Sequence, residues 1–144
     1  MEIQEIMTES PACCTPDTPL QDVAKMMVEC DCGCIPVVDS QDSKMPVGMI
    51  TDRDITCRVV AQGRNPLDLT AGDAMTSTVV SVTRDTDLND CLELMEESRI
   101  RRIAVVDNRG AVCGILALAD IATNAGPSDT AEIVQEVSRA ASNG

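Results

Sequence analysis

An internal repeat constrains the fold of this chain more than any other feature of its sequence. Residues 7–55 align with residues 75–121 at an offset of 68, which becomes 66 after a two-residue deletion in one loop, and 16 of the 47 aligned positions are identical. Self-similarity over this length indicates two copies of one supersecondary unit, each of which is marginal on its own. We therefore expect two α/β (α+β) units, related by a pseudo-twofold axis and packed through their sheets, with clefts that occur in symmetry-related pairs.

Each copy predicts the same order of elements. Thr18 can cap a helix that has Pro19 at its first position. That helix is expected to carry an apolar stripe at helical spacing, formed by Leu20, Val23, Ala24, Met27 and Val28. Two short runs, 35–38 and 47–50, predict buried strands, and a second helix begins near Asp52 and ends at Gly63.

The second copy repeats this pattern with a cysteine in its helical stripe. Cys91 stands at the position that Val23 occupies in the first copy, which predicts that it is a core residue. Runs 103–106 and 113–116 predict the two strands, and a helix begins near Leu118. The predicted organisation is repeat 1 over residues 1–63, a connector over 64–74, repeat 2 over 75–126, and a tail over 127–144 with a short helix at 131–141.

Composition excludes several classes of function. Of the 144 residues, 11 are Lys or Arg and 24 are Asp or Glu, so the net charge is 11 − 24 = −13, which disfavours a nucleic-acid partner. The chain has no Phe, Trp, Tyr or His, and so has no stacking platform, histidine general base or histidine metal ligand. We therefore expect no enzyme activity, no catalytic residues and no required cofactor. An acidic start and the absence of a long apolar run predict a cytoplasmic protein without a membrane partner.

The eight cysteines allow two interpretations. Most are expected to be small buried hydrophobes, and the spacings typical of structural zinc sites are absent, so no metal site is predicted. The alternative is a thiol-based redox or metal sensor that uses a cluster of five cysteines, Cys13, Cys14, Cys30, Cys32 and Cys34.

The sharpest local motif joins the end of a strand to the start of a helix. Thr51 is predicted at a helix N-terminus, where free amides favour an anion such as phosphate, and Asp54 follows one turn later as an acceptor suited to ribose hydroxyls. Thr-x-x-Asp is also an ordinary capping arrangement. The second copy has Ala117 in place of the threonine and keeps Asp120, which favours ligand binding, although surface solvation also accounts for a retained aspartate.

A second candidate is a basic run in an acidic chain. Arg99, Arg101 and Arg102 directly precede a predicted strand. The last two arginines can clamp phosphate through forked hydrogen bonds, or the run can form a solvated loop that pairs with Glu96 and Glu97. Because the first copy has Gly33 and Cys34 at the equivalent positions of Arg101 and Arg102, the two clefts are expected to differ in charge.

The repeated order of motifs resembles the tandem CBS (cystathionine-β-synthase) domain, the Bateman module. That order is Met-Thr, a helix, Ile-Pro-Val-Val-Asp at 35–39 and Gly-x-Ile-Thr-x-x-Asp at 48–54, and the resemblance covers residues 6–122. The run from Thr51 to Ile55 followed by Gly63 to Pro66 is similar to bacterial and archaeal stand-alone CBS-pair proteins. The resemblance implies β-α-β-β-α repeats, a disc-like homodimer and clefts that bind adenine nucleotides or related ligands.

Site residues follow from the resemblance by position. The better site implied by it joins two residues of the first copy to residues of the second, namely Thr51, Asp54, Ile100, Arg101 and Arg102, with Thr78 and Val79 nearby. The second, weaker site joins Asp120 to Cys32, Gly33 and Cys34, and departs from the pattern through Ala117 and its lack of arginine.

The sequence therefore predicts a small-molecule sensor of AMP, ADP, ATP, NAD or S-adenosylmethionine that signals through a change in repeat or dimer packing. The expected partners are the nucleotide, a second copy of the chain and an unidentified regulated protein. Besides the thiol sensor, a ligand-free protein-interaction module stays open as an alternative.

Overall fold

The computed structural model describes residues 1–77 and 79–124, which form two compact units. The repeat-1 unit comprises residues 10–79 and 109–112; the repeat-2 unit comprises residues 1–9, 80–108 and 113 to the last described residue. The helix predicted at 131–141 lies outside the described residues. Among the described helices, none is both long and apolar enough to cross a membrane.

The repeat-1 unit contains the predicted helices and strands. Its regular elements are α1 (Leu20–Cys30), β2 (Cys34–Val38), β3 (Pro46–Thr51), α2 (Asp52–Ile55) and α3 (Ala71–Ala74). The helix that starts as α2 continues as a π-helical turn over Thr56–Val60, and a 3₁₀ turn follows at Pro66–Asp68. Strands β2 and β3 pair antiparallel, and isolated bridges join Cys14 to Val37 and Met49 to Thr76.

The repeat-2 unit has the same plan. It contains β1 (Thr8–Glu9), β4 (Ser81–Thr83), α4 (Leu88–Ser98), β5 (Arg102–Val106), β6 (Val112–Ala117) and α5 (Leu118–Asn124), with a 3₁₀ turn at Ile3–Glu5. Its strands form a sheet of order β1-β6-β5-β4, in which β1 and β6 are antiparallel and β4 and β5 are parallel. The two bridges of the repeat-1 unit occupy the places of β1 and β4, so the mixed α+β plan predicted for both copies is confirmed.

Each unit is completed by a segment that precedes the other copy in sequence. Thr8 of β1 pairs with Ile115 of β6 in the repeat-2 unit, although repeat 1 follows it in the chain. In the repeat-1 unit, Thr76 exchanges hydrogen bonds of 2.9 and 3.0 Å with Met49 of β3. The opening segments, residues 1–9 and 69–77, are thus exchanged between the copies. The unit boundaries consequently differ from the boundaries of the sequence repeats.

The helix start predicted at Thr18 is wrong. Helix α1 begins at Leu20 with Pro19 at the N-cap, and the Thr18 hydroxyl accepts a 3.0 Å bond from the Thr15 amide instead. The Leu20 amide donates to the Leu69 carbonyl at 3.0 Å, so an opening segment satisfies a free amide of the helix. Threonine hydroxyls serve tight turns as readily as helix caps, and here the turn takes the hydroxyl.

The core prediction is confirmed for Cys91, which is fully buried at the place that Val23 fills in the other unit. Cys13, Cys14 and Cys34 are also buried, whereas Cys30 and Cys57 are exposed. The predicted stripe of α1 is only partly buried: Leu20 and Val23 lie in the core, but Ala24 is exposed and Val28 is 82% exposed. Helical spacing selects a face of α1 without fixing how much of that face is covered.

Candidate ligand-binding site

Thr51 and Asp54 form a reciprocal capping box at the start of α2. The Asp54 amide donates to Thr51 Oγ1 at 3.1 Å, and the Thr51 amide donates to Asp54 Oδ2 at 3.0 Å. Helix capping and ligand binding, the two interpretations of this motif, therefore involve the same side-chain atoms of Thr51 and Asp54. The capping interpretation is confirmed by these two bonds, and they hold the two side chains in a fixed mutual geometry.

The capping bonds leave capacity for a ligand. A threonine hydroxyl that accepts a bond can still donate its hydrogen, and an ionised carboxylate offers acceptor sites on both oxygens. Asp54 is 16% exposed at its side chain, and its Oδ1 lies 3.7 Å from Arg58 Nε, one turn further along the helix. Arg58 Nη1 also donates to the Met75 carbonyl at 3.0 Å. The ion pair orients the carboxylate, and the bond from Arg58 to the Met75 carbonyl ties the helix to the opening segment.

The basic run occupies the corner between α4 and β5 in the repeat-2 unit. Arg99 ends α4 in the left-handed conformation, with φ of 55°, and its amide donates to the Glu96 carbonyl. The Arg101 carbonyl accepts a 2.9 Å bond from the Leu118 amide, which fixes the backbone of the corner. Arg101 is exposed, Arg102 is half-buried at the start of β5, and Ile100 packs partly against the core. The arrangement presents a guanidinium to solvent from a rigid backbone.

The equivalent corner of the repeat-1 unit has the same backbone and the opposite charge. Asp31 ends α1 with φ of 51°, and the Gly33 carbonyl accepts a 3.0 Å bond from the Asp52 amide. The matched pairs of residues are Asp31 with Arg99, Gly33 with Arg101, Cys34 with Arg102 and Asp52 with Leu118. Two carboxylates therefore replace three guanidinium groups. The expectation that the two clefts differ in charge stays a prediction, and this difference between the corners is in keeping with it.

An open groove lies at this acidic corner. It encloses about 490 Å³ and is lined by Met27, Val28, Asp31, Cys32, Gly33 and Asp52. A Cβ on Gly33 would lie 2.9 Å from an Asp52 carboxylate oxygen, so this corner has no room for a larger residue unless that side chain moves. Cys34 is not among the lining residues, because it is buried in β2.

The predicted site residues fall into both units. Thr51, Asp54 and the half-buried Val79 belong to the repeat-1 unit, and Ile100, Arg101 and Arg102 belong to the repeat-2 unit. Thr78 lies outside the described residues. Of the second predicted site, Cys32, Gly33 and Cys34 belong to the repeat-1 unit. Asp120 is an exposed residue of α5 in the repeat-2 unit.

Two residues near the candidate site were missed by sequence reasoning. Arg58 stands four residues after Asp54, which is a spacing that brings opposite charges together on a helix. Asp52 lines the groove and anchors the corner through its amide. The i, i+4 spacing could have identified the first of these. No local signal identifies the second, because its role depends on the carbonyl of Gly33, 19 positions earlier.

The cysteines of the predicted sensor cluster differ in environment. Burial raises the pKa of the Cys13 thiol, against a lowering influence of Lys44, and burial raises the pKa of Cys14 to about 12. Cys32 and Cys30 lie near the acidic corner, where the first is half-buried and the second is exposed. Within residues 1–77 and 79–124, no group of three or more Cys, Asp or Glu side chains is arranged to hold a metal ion.

The fold and the two matched corners define a duplicated α+β module whose two units share one plan of helices and strands. A family model for the CBS domain matches residues 3–60 and 71–125, so the chain belongs to the CBS domain family as a tandem pair. The resemblance seen in the sequence is thereby confirmed.

Known relatives support the same assignment. The chain is 37% identical over 122 residues to the CBS domain-containing protein YhcV of Bacillus subtilis, a match that covers 85% of this chain and 84% of YhcV. It spans 57% of the length of a 35% identical, uncharacterised protein of Methanopyrus kandleri, and that match covers 82% of this chain.

Solved structures with this fold include one that contains zinc ions and one that contains AMP. The crystal structure of Hypoxic Response Protein I with two coordinated zinc ions matches at a TM-score of 0.75 and 30% identity, covering 88% of this chain and 100% of that one. The crystal structure of CBSX2 in complex with AMP matches at a TM-score of 0.70 and 26% identity, covering 86% and 95% respectively.

Proposed function

We propose that the protein is a regulatory module that binds an adenine nucleotide or a related adenosyl ligand. Asp54 would hold the ribose hydroxyls, Thr51 would donate to a phosphate, and Arg101 and Arg102 would neutralise the phosphate charge. Ile100, Thr78 and Val79 complete the proposed binding set. The base would lie between aliphatic side chains and backbone, since the chain has no aromatic residue.

One observation carries the proposal: the capping box of Thr51 and Asp54 fixes a donor and an acceptor while leaving both able to bind. The hydroxyl uses only its acceptor capacity in the bond from the Asp54 amide, and the carboxylate uses Oδ2 for the Thr51 amide. A preorganised pair of this kind loses little freedom when a ligand binds. The AMP in the CBSX2 structure supports the ligand class.

The charges of the two corners support a preference of a phosphate group for the corner that carries Arg101 and Arg102. Asp31 would repel a phosphate beside Cys32 and Gly33, whereas Arg101 and Arg102 would attract one. We therefore propose that the set containing Asp120, Cys32, Gly33 and Cys34 is the weaker site. By the same family resemblance, we propose that the working unit is a homodimer that signals to a regulated protein through a change in packing.

Isothermal titration of the protein with AMP, ADP, ATP, NAD and S-adenosylmethionine tests this function. Asp54→Ala should abolish or strongly weaken the response. The chain offers a matched control, because Asp73 forms the same type of capping box with Thr70, with a 2.9 Å bond from the Thr70 amide to Asp73 Oδ2. Asp73→Ala should leave the affinity unchanged. An absence of heat with all five ligands, or equal losses in both variants, would overturn the proposal.

A further inference from the structure

Cys30 and Cys32 flank one residue at the corner that ends α1. Asp31 between them has φ of 51° and ψ of 49°, a left-handed helical conformation that draws its neighbours closer than an extended residue would. The Asp31 amide donates to the Val28 carbonyl at 3.3 Å, and the Cys32 amide donates to the Met27 carbonyl at 3.0 Å. Both cysteines are thus held by a hydrogen-bonded helix end.

The two thiols also influence each other electrostatically. Cys30 raises the pKa of the Cys32 thiol, which burial raises first, and the Cys34 backbone lowers it. Both thiols are free, Cys30 is exposed, and Cys32 lines the open groove. The other members of the predicted cysteine cluster, Cys13, Cys14 and Cys34, are buried. Access and proximity therefore combine at Cys30 and Cys32.

We propose that Cys30 and Cys32 form a reversible intramolecular disulfide by exchange with a low-molecular-weight disulfide. The exposed Cys30 thiolate attacks one sulfur of the small disulfide and releases the other half as a thiol, giving a mixed disulfide on Cys30. The Cys32 thiolate then attacks the Cys30 sulfur and releases the second half as a thiol. The two cysteines lose two protons and two electrons, and one small disulfide becomes two small thiols.

The order of the two steps follows from the environment of each thiol. Burial raises the pKa of the Cys32 thiol, and the neighbouring Cys30 and Asp31 raise it further against a lowering influence of the Cys34 backbone. Cys32 is therefore the poorer first nucleophile, and its place beside Cys30 makes it the resolving thiol.

The product would stiffen a corner that touches the candidate site. A bond between Cys30 and Cys32 links the last helical residue of α1 to the residue before Gly33. The Gly33 carbonyl in turn accepts the Asp52 amide, one residue after Thr51. The proposal does not depend on nucleotide binding, and its test reads sulfur chemistry alone.

Incubation of the intact protein with oxidised glutathione, followed by unfolding, alkylation of free thiols and trypsin digestion, tests the proposal. The tryptic peptide of residues 26–44 contains Cys30, Cys32 and Cys34. We expect one of the three cysteines of this peptide to be alkylated. The other two should form a disulfide, which lowers the mass of the peptide by two hydrogens. A protease that cuts before aspartate cleaves the chain between Cys30 and Asp31. The fragment with Cys30 and the fragment with Cys32 should then stay joined until the disulfide is reduced.

Serine variants identify the two cysteines that form the disulfide. Cys30→Ser should abolish it, and Cys32→Ser should leave Cys30 as a lasting mixed disulfide with glutathione. Cys34→Ser, and Cys57→Ser at another exposed cysteine, should form the bond as the unaltered chain does. Three alkylated thiols in the peptide, a stable glutathione adduct on Cys30 in the unaltered chain, or loss of the bond in Cys34→Ser would each refute the proposal.

Discussion

Gly48 lies directly against the backbone of Thr76. A Cβ at Gly48 would stand 2.8 Å from the Thr76 carbonyl oxygen and 2.7 Å from Met75 Sδ. At the matching place in the repeat-2 unit, a Cβ on Gly114 would stand 3.2 Å from the Thr8 carbonyl oxygen and 2.7 Å from Met7 Sδ. The glycine common to both repeats is therefore the contact point between a central strand and an opening segment.

Gly48→Ala should destabilise the protein more than Gly114→Ala does. In both variants the new methyl group displaces a flexible methionine side chain, but at Gly48 it also meets a hydrogen-bonded carbonyl closer than contact distance. We expect Gly48→Ala to cost about 1–3 kcal/mol, the range for overpacked sites, and Gly114→Ala to cost less. Urea denaturation of both variants measures the difference, and equal or reversed losses would contradict the geometry.

The N-terminal segment should contribute strongly to stability despite its position at the chain end. Ile3 is fully buried in the core of the repeat-2 unit, and Ile3→Ala should cost about 3 kcal/mol through lost burial and a residual cavity. Gln4→Ala, at the exposed neighbouring residue, serves as the control and should change little. Comparable unfolding midpoints for the two variants would show that the segment does not pack as described.

Thr51→Ala should remove the hydroxyl that accepts the Asp54 amide. Loss of an N-cap of this kind costs about 1 kcal/mol. Thr51→Ser keeps the accepting oxygen and should restore most of the stability. The free energy of unfolding from denaturant titration measures the effect, and an alanine variant as stable as the serine variant would refute the role of the cap.

Stability should fall as the pH rises above about 9. The pKa of Cys14 is about 12 and that of Cys91 about 11, both raised from 9.0 first by burial. The unfolded chain therefore loses these protons at a lower pH than the folded chain. Stability from these thiols is complete below pH 9 and declines as the pH rises toward 11 and 12.

The repeats supply suitable replacements for testing this pH dependence. Cys14 and Cys91 correspond to Val82 and Val23 of the other copy. The double variant Cys14→Val/Cys91→Val should unfold with a flatter dependence on pH between 9 and 11. An unchanged slope would mean that other groups govern the alkaline loss.

Arg101→Ala should weaken AMP binding by about tenfold, the effect of losing roughly 1.4 kcal/mol from a charge-assisted bond. Adenosine, which has no phosphate, should bind both forms alike. Arg109→Ala makes the same change of charge elsewhere and should leave AMP binding intact. If adenosine affinity falls in parallel with AMP affinity in Arg101→Ala, the guanidinium does not contact phosphate.

Local sequence patterns predicted most of the elements of each unit. Strands β2, β3, β5 and β6 follow from short β-branched runs bounded by turn residues, and the helix start at Asp52 follows from the Thr-x-x-Asp capping pattern. The repeat itself identified Cys91 as a core residue, because Val23 fills the same position. Such features are encoded within a few neighbouring residues, where one periodicity dominates.

The remaining features depend on residues far apart in the chain. The hydrogen bonds from the Leu20 amide to the Leu69 carbonyl and from the Leu88 amide to the Met1 carbonyl, at 3.0 and 2.8 Å, place the opening segments at the helix starts. No local pattern at Thr18 distinguishes a cap from a turn in the absence of that segment. For the candidate site, the sequence analysis identified Thr51 and Asp54 but missed the ion pair with Arg58, which the i, i+4 spacing could have indicated.

The exchanged opening segments bear on the ancestry of the chain. A half-length protein that kept this pairing before duplication would have completed its sheet with the leading residues of a second molecule. Fusion of two such genes would have turned an association that depends on concentration into a link within one polypeptide. The two copies could then diverge in charge at their matched corners, acidic in one and basic in the other. Each copy still required the opening segment of the other copy to complete its unit.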